Sequence, residues 1–170
     1  EGHTSPFRHE FISFRIKAPL MVARQHWKYI VGSNSKDDGW NEGSRRYITA
    51  NEEFYIPSPE QWRSAPEDKK QGSGAPLPLE SGSELFQLLM EDVDRQNAHY
   101  HLAMQMGACA EQARLFLPAY ALYVHYWWTA SLQSVLHFLH QRIAHDAQKE
   151  IQDYAKAIHI LAQPLFPVSF

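Results

Sequence analysis

From Ala119 to Trp128 the chain alternates, with Leu122, Val124, Tyr126 and Trp128 on one side, Tyr123, His125 and Trp127 on the other, and nearly both sides apolar or aromatic. Such a segment needs neighbours on both edges, which predicts the central strand of a small sheet packed by helices. Residues 9–17 give a plainer pattern, with Phe11, Ser13, Arg15 and Lys17 facing one way and Ile12, Phe14 and Ile16 the other, which predicts a half-buried strand ending at Ala18-Pro19.

Helical spacing accounts for most of the rest. Pro19 suits a first helical turn, and Leu20, Met21, Ala23, Arg24, Trp27 and Lys28 continue it to about Ile30, with Gln25 and Lys28 on one face. Ser83 reads as the N-cap of an amphipathic helix through Leu85, Leu88, Leu89 and Val93 to Met106. A short helix over 110–117 stops at Pro118, Ser131 begins another with Val135, Leu136, Leu139 and Ile143 as its apolar side, and a last one runs from about Asp146 to Leu161. The expectation is an α+β fold, a small mainly antiparallel sheet packed with helices, in one domain over 1–170. Residues 31–40 read as a loop, 47–56 as a short extended segment, and the Pro-, Ser- and Gly-rich stretch 57–82 as a mobile surface excursion anchored only by Trp62.

Composition narrows the function classes. A formal charge of −3, from 16 basic and 19 acidic residues, lacks the basic field of a nucleic-acid binder, so any anion site has to be local. No signal peptide opens the chain and no apolar run approaches the ~20 residues of a membrane span, so a cytoplasmic protein is expected. The start at Glu1, without Met, fits a missing N-terminal leader. The single cysteine, Cys109 between two alanines, reads as a small buried hydrophobe.

Chemistry concentrates in Trp40 to Tyr47, Trp-Asn-Glu-Gly-Ser-Arg-Arg-Tyr, where Glu42, Ser44, Arg45, Arg46 and Tyr47 supply a carboxylate, a hydroxyl, two guanidiniums and a phenol. That set suits a small anion with a polar edge. Ser44 has neither a G-x-S-x-G elbow nor a nearby His, so it reads as a donor to a phosphate or a base edge. No Walker loop occurs. The 10 histidines include the groups His99/His101 and His137/His140/His145, but no HExxH motif and no cysteine partner, so no metal site is read from them.

The run from Gln25 to Lys28 followed by Asn41-Glu42-Gly43-Ser44-Arg45-Arg46-Tyr47 resembles the signature of the flavin-dependent thymidylate synthases, in which Arg-His-Arg leads into Asn-Glu-x-Ser-x-Arg-Tyr. Gly2-His3, Pro6-Phe7, Lys17-Ala18-Pro19, Ala23-Arg24-Gln25 and Glu53 to Pro59 are similar to that family in the same order. So are Glu111-Gln112-Ala113-Arg114, Leu117-Pro118, Phe138-Leu139 with Arg142, and Ala147-Gln148 with Glu150-Ile151. Only residues 60–100 fall outside the resemblance.

The resemblance implies a homotetramer with active sites shared between subunits, which methylates dUMP to dTMP using FAD, methylenetetrahydrofolate and NADPH. It assigns Gln25, Lys28, Glu42, Ser44, Arg45, Arg46, Arg114 and Arg142 to dUMP, with Ser44 and Arg142 at the reacting ring and no enzyme thiolate attacking it. Guanidiniums suit the nucleotide phosphate, and Arg142 suits a uracil carbonyl polarised as C5 becomes nucleophilic.

For the flavin it assigns His3, Ser5, Lys28, Tyr29, Ile30, Glu42, Ser131, Gln133 and His137. Here the sequence departs from the family: Lys28-Tyr29-Ile30 replace Arg-His-Arg, the loop to Asn41 is longer, and Ser131, Gln133 and His137 stand for Asn, Arg and Asn. Replacing an Arg that binds a pyrophosphate through both its nitrogens typically costs ~1–3 kcal/mol. Tyr29 stacking, His137 hydrogen bonding, and Lys36 or Trp40 covering the cofactor are the expected compensations. Two further readings share these nucleotide residues: a relative that hydroxymethylates dUMP, and a catalytically silent nucleotide-binding module.

Overall fold

The computed structural model describes residues 4–32, 39–43, 52–67 and 72–170, with 29–32 as backbone only. His3, the loop residues 33–38, Ser44, Arg45, Arg46 and Tyr47, and the side chains of Tyr29 and Ile30 lie outside the described residues, as does the first half, 47–51, of the extended segment expected over 47–56.

Three antiparallel strands, β1 (Phe11–Pro19), β2 (Gly39–Glu42) and β3 (Tyr123–Ser131), form one sheet in the order β1-β3-β2. The segment expected at the centre is the centre, although the strand begins at Tyr123 and extends to Ser131. Phe14 opposes Trp128 and Ile16 opposes Tyr126 on one edge, while Trp40 opposes Trp128 and Glu42 opposes Tyr126 on the other. The β1 alternation is as read: Phe14, Ile16 and Ala18 are buried, and Phe11, Ser13, Arg15 and Lys17 are exposed.

Only one face of the sheet is fully covered. Val124, Tyr126, Trp128 and Ala130 are buried, whereas His125 is exposed and Trp127 is 52% exposed. The apolar look of both faces overstated burial, because an antiparallel sheet tolerates one wet face and Trp127 lies on it. The covered face packs against α1 (Leu20–Gly32), α4 (Leu132–Arg142) and α5 (Lys149–Ala162) in a core that includes Val22, Val135, Phe138, Leu139, Ile151, Ala155 and Ile158. Burying an aliphatic or Phe side chain of this kind contributes about 1.5–3 kcal/mol. Ser131, expected as the start of a helix, stands one residue before α4 as its N-cap, its Oγ accepting from the Ser134 amide.

The long helix α2 spans Leu79–Gln105 and begins four residues before Ser83, directly after Pro78. Pro78 suits that boundary because it needs no amide partner, and Ser83 lies inside the first turns. Beyond α2, Gly107 takes φ +89, the left-handed conformation that closes a helix end. α3 (Ala110–Ala113) and a 3-10 turn over Arg114–Phe116 follow, matching the expected short helix. Cys109 is exposed and not buried as its alanine neighbours suggested, because it stands at the N-cap of α3 just outside the helix.

The stretch 57–82 holds more structure than its composition suggests. Ser58 and Gln61 form a capping box around the 3-10 turn Pro59–Gln61. Arg63 donates to Ser73 Oγ, to the Gln61 carbonyl and to the Glu150 carboxylate, which ties the stretch to α5. Among the described residues, no helix is long and apolar enough to cross a membrane.

Candidate functional site

Glu42 and Arg114, far apart in sequence, line one cavity of about 290 Å³. Glu42 is the last residue of β2, held opposite Tyr126 by the ladder, and the next amide, Gly43, donates to the His125 carbonyl at 2.9 Å. Arg114 opens the 3-10 turn after α3. That turn is anchored by buried Ala113 and Leu117, which pack with Tyr100 and Leu122, so the guanidinium is carried on a fixed platform while its own side chain stays exposed. Leu20, Leu117, Leu122 and Val124 give the cavity an apolar floor. A carboxylate, a guanidinium and a flat apolar surface suit an anionic ligand with a planar ring.

A smaller hollow of about 130 Å³ shares Leu20 and Glu42 and adds Arg24, Trp27 and Trp40. Arg24 lies over the Trp27 ring, 4.8 Å from its centroid, so a second cation flanks Glu42. The helical spacing of Arg24 and Trp27 is legible in the sequence, but nothing there ties them to Glu42, because β2 begins inside the 31–40 stretch that reads as a loop. Gln25 is half-buried with its Oε1 enclosed and without a hydrogen-bond partner among the described residues, while Lys28 is exposed. Arg142 ends α4 and is half-buried.

Behind this surface lies a buried aromatic group that sequence reading missed. His26, 2% exposed, sits against Phe138 at a ring-centroid distance of 4.5 Å and against Trp128 at 4.4 Å. Its Nδ1 is 3.1 Å from the Tyr126 hydroxyl. Trp40 stacks on Tyr126 with centroids 3.9 Å apart. Burial, reinforced by the positive charge of Arg142, pushes the His26 pKa down to about 3, so the imidazole is neutral. The Tyr126 hydroxyl is pushed up by burial, with Tyr154 and Glu42 adding to the effect. The available signal was the i, i+4 pairing of Val22 with His26 on the buried side of α1.

On the side assigned to flavin, the Ser131 hydroxyl is 1% exposed and engaged with Ser134, both as acceptor from its amide and at 3.3 Å from its Oγ. Gln133 is half-buried, and its Oε1 is enclosed without a hydrogen-bond partner among the described residues. His137 is exposed, and Ser5 is exposed on a 3-10 turn that packs against α4. Among the described residues, no group of three or more His, Cys, Asp or Glu side chains is arranged to hold a metal ion.

A larger cavity of about 510 Å³ lies between the 57–77 stretch, α1, α2 and α5, and none of the sequence-predicted site residues among the described residues lines it. The Arg63–Glu150 pair stands in its wall. Burial pushes the Glu150 carboxyl up, but hydrogen bonds from Arg63 and Gln148 outweigh it and hold the carboxyl below its ordinary value.

The family described as Thy1, thymidylate synthase complementing protein, matches residues 1–168. The chain is 33% identical over 169 residues to a flavin-dependent thymidylate synthase of Kosmotoga olearia, covering 99% of this chain and 70% of that protein. It is 34% identical over 168 residues to the flavin-dependent thymidylate synthase of Thermus thermophilus, covering 99% of this chain but only 58% of that one. In fold it is similar to a UMP/dUMP methylase PolB from Streptomyces cacaoi solved with 5-Br UMP. That similarity has a TM-score of 0.85 and 23% identity, and covers 98% of this chain and 74% of that one.

Proposed function

The chain belongs to the Thy1 family of flavin-dependent thymidylate synthases, and on that premise we propose that it catalyses the reductive methylation of dUMP to dTMP, with methylenetetrahydrofolate as carbon donor, FAD as the flavin and NADPH as reductant. The observation that carries this reading is the cavity shared by Glu42 and Arg114. In this reading Arg114 and Arg46 hold the nucleotide phosphate, with Lys28 and Arg45 adding positive charge. Gln25, Glu42 and Ser44 orient the nucleotide, and Arg142 stabilises the negative charge that develops on the uracil carbonyl.

FAD supplies the redox chemistry when bound. Ser5, Gln133 and His137 offer it hydrogen-bonding side chains, and Gln133 Oε1 has no hydrogen-bond partner among the described residues. Lys28 is the only permanent cation among the described residues assigned to flavin alone or jointly with the nucleotide, so the donor set fits a flavin held mainly through neutral contacts. Leu115, next to Arg114 in the chain, is 81% exposed and Tyr120 is 71% exposed, apolar surface that supports a homotetramer whose sites are shared between subunits.

Incubation with dUMP, methylenetetrahydrofolate, FAD and NADPH, followed by mass analysis of the nucleotide, tests the proposal. dTMP is the expected product; a hydroxymethylated pyrimidine identifies the related one-carbon transferase instead. Nucleotide binding without NADPH oxidation or tritium release from C5-labelled dUMP identifies the silent module. UMP in competition with dUMP reports which sugar the site accepts.

A further inference from the structure

Glu42 belongs to two spaces at once. On one side the cavity of about 290 Å³ leads to Arg114, and on the other the hollow of about 130 Å³ is closed by Arg24, Trp27 and Trp40. One wall of that hollow is a single stripe of α1. Leu20, Ala23, Arg24 and Trp27 stand at i, i+3, i+4 and i+7, and Lys28 continues the stripe one turn beyond Arg24. Leu20 borders both spaces, so the stripe leads from one into the other. Trp40 and Glu42, two residues apart on β2, project to the same side of the sheet and form the facing wall.

Arg24 is exposed, yet its guanidinium lies 4.8 Å from the centroid of the Trp27 ring. At a solvent-exposed position this contact adds little stability, but it restricts a long side chain before any ligand arrives and so lowers the entropy lost on binding. Arg24 and Glu42 line the hollow together, and among the described residues no ion pair joins them. A ligand that uses the whole set needs an anion for Arg24, a hydroxyl or ring N–H for Glu42, and a flat surface for an indole.

We propose that Arg24, held by Trp27, binds a phosphate of the flavin dinucleotide and supplies a guanidinium that Lys28-Tyr29-Ile30 lack by residue type. Its role at the cofactor rests on the flavin reading above, to which it adds two residues outside the family-derived set. Glu42 is assigned to both ligands, and its two-sided position gives that assignment a form: nucleotide toward Arg114, flavin toward Arg24. Arg24 and Lys28, one turn apart on α1, match the doubly charged pyrophosphate, while Glu42 suits a ribityl hydroxyl and not the phosphate itself.

The test is FAD binding to the full chain, read by quenching of flavin fluorescence without folate or NADPH. Arg24→Gln is expected to weaken the Kd about tenfold, and Arg24→Lys about threefold because the charge stays while the planar fork is lost. Riboflavin, which has no phosphate, and dUMP followed by calorimetry should each bind Arg24→Gln within about twofold of wild type. Arg24 is exposed, so its variants should melt with wild type within the scatter of surface substitutions. An FAD affinity within about twofold of wild type overturns the proposal. So does an equal loss for riboflavin, which moves Arg24 to the ring, or a dUMP loss as large as the FAD loss, which gives Arg24 to the nucleotide. Trp27→Leu should weaken FAD about threefold in wild type and less than about twofold in Arg24→Gln; equal losses in both backgrounds overturn the part of Trp27 in holding Arg24. Wild-type protein that does not bind FAD overturns the flavin reading itself, whereas unchanged variants of a wild type that does bind it overturn only the role of Arg24.

Discussion

The hydrogen bond between Tyr126 Oη and His26 Nδ1, 3.1 Å long, joins the central strand to the first helix inside the core. Both partners hold the protonation state of neutral groups: burial pushes the phenol up and the imidazole down to about 3. The bond therefore persists across neutral pH, and its cost appears only when His26 must take up a proton.

That gives a pH dependence with a definite sign. His26 titrates at about 3 in the folded protein against 6.5 for the free side chain. Between those values the unfolded chain binds more protons, so stability is fully present above the window and falls as pH drops through it, by up to about 1.4 kcal/mol per pH unit. Urea midpoints measured at about pH 7.5 and about pH 5 should separate more for wild type than for His26→Phe. Equal separation in the two proteins would show that His26 does not control this dependence.

Arg63→Ala should destabilise the protein by about 2–3 kcal/mol, between a surface pair and a fully buried one. Three donations from Arg63 disappear, and the Glu150 carboxylate, 11% exposed, loses its cationic partner and keeps Gln148 and a backbone amide. Because these bonds hold the Glu150 carboxyl below its ordinary value, their contribution is present above the ordinary carboxylate range and lost as pH falls through it. Thermal melts of wild type and Arg63→Ala should therefore converge toward acid pH. A constant gap between them would rule out the charged state of Glu150 as the cause.

The parts of this molecule that were legible in the sequence are those where one periodicity dominates. The β1 alternation, the central place of β3, the helix begun near Ser131 and the α5 spacing all survive because each burial pattern repeats over several residues. β2 did not, since Gly39–Glu42 is four residues long and gains its strand character only by pairing with β3. His26 was missed for a related reason: an imidazole inside a helix reads as polar until the aromatic rings of three other elements close around it. For the site, Glu42 and Arg114 were named from the resemblance, but their convergence is tertiary, and Arg24 enters only because Trp27 and Trp40 fold beside Glu42.

Arg114→Ala should weaken dUMP binding about 10- to 100-fold, the range expected for losing one or two charge-assisted hydrogen bonds. Its side chain is exposed on a turn anchored by other residues, so melting temperature should hold within the scatter of surface substitutions. Calorimetry with dUMP and with deoxyuridine separates the sources: the loss should be confined to the phosphorylated ligand. An equal loss for deoxyuridine would reassign Arg114 from the phosphate to the base or sugar.

Ser131→Ala should cost about 1 kcal/mol of stability, the usual loss of an N-cap. Its hydroxyl is buried and committed to Ser134, so FAD affinity measured by flavin fluorescence quenching should stay within about twofold. Gln133→Leu should weaken FAD binding in the same assay, because it removes an acceptor with no other partner. A flavin defect in Ser131→Ala that exceeds the one in Gln133→Leu would return the serine to the cofactor.

Gly82 is buried in the first turns of α2, where that helix crosses the Pro59–Gln61 turn. A methyl group there would sit 2.0 Å from the Pro59 carbonyl oxygen and 3.0 Å from its carbon. The obstacle is backbone, so no rotamer change relieves it, and α2 and the turn have to separate. Overpacking of this kind costs about 1–3 kcal/mol, while Ala in place of Gly returns up to about 1 kcal/mol of helix propensity. Gly82→Ala should therefore melt below wild type, with Trp62 fluorescence shifting as the turn moves, while Ser81→Ala at the exposed neighbouring position leaves both unchanged. A Gly82→Ala protein that melts at or above wild type would mean that helix propensity outweighs the contact, and that α2 does not need this close approach to Pro59.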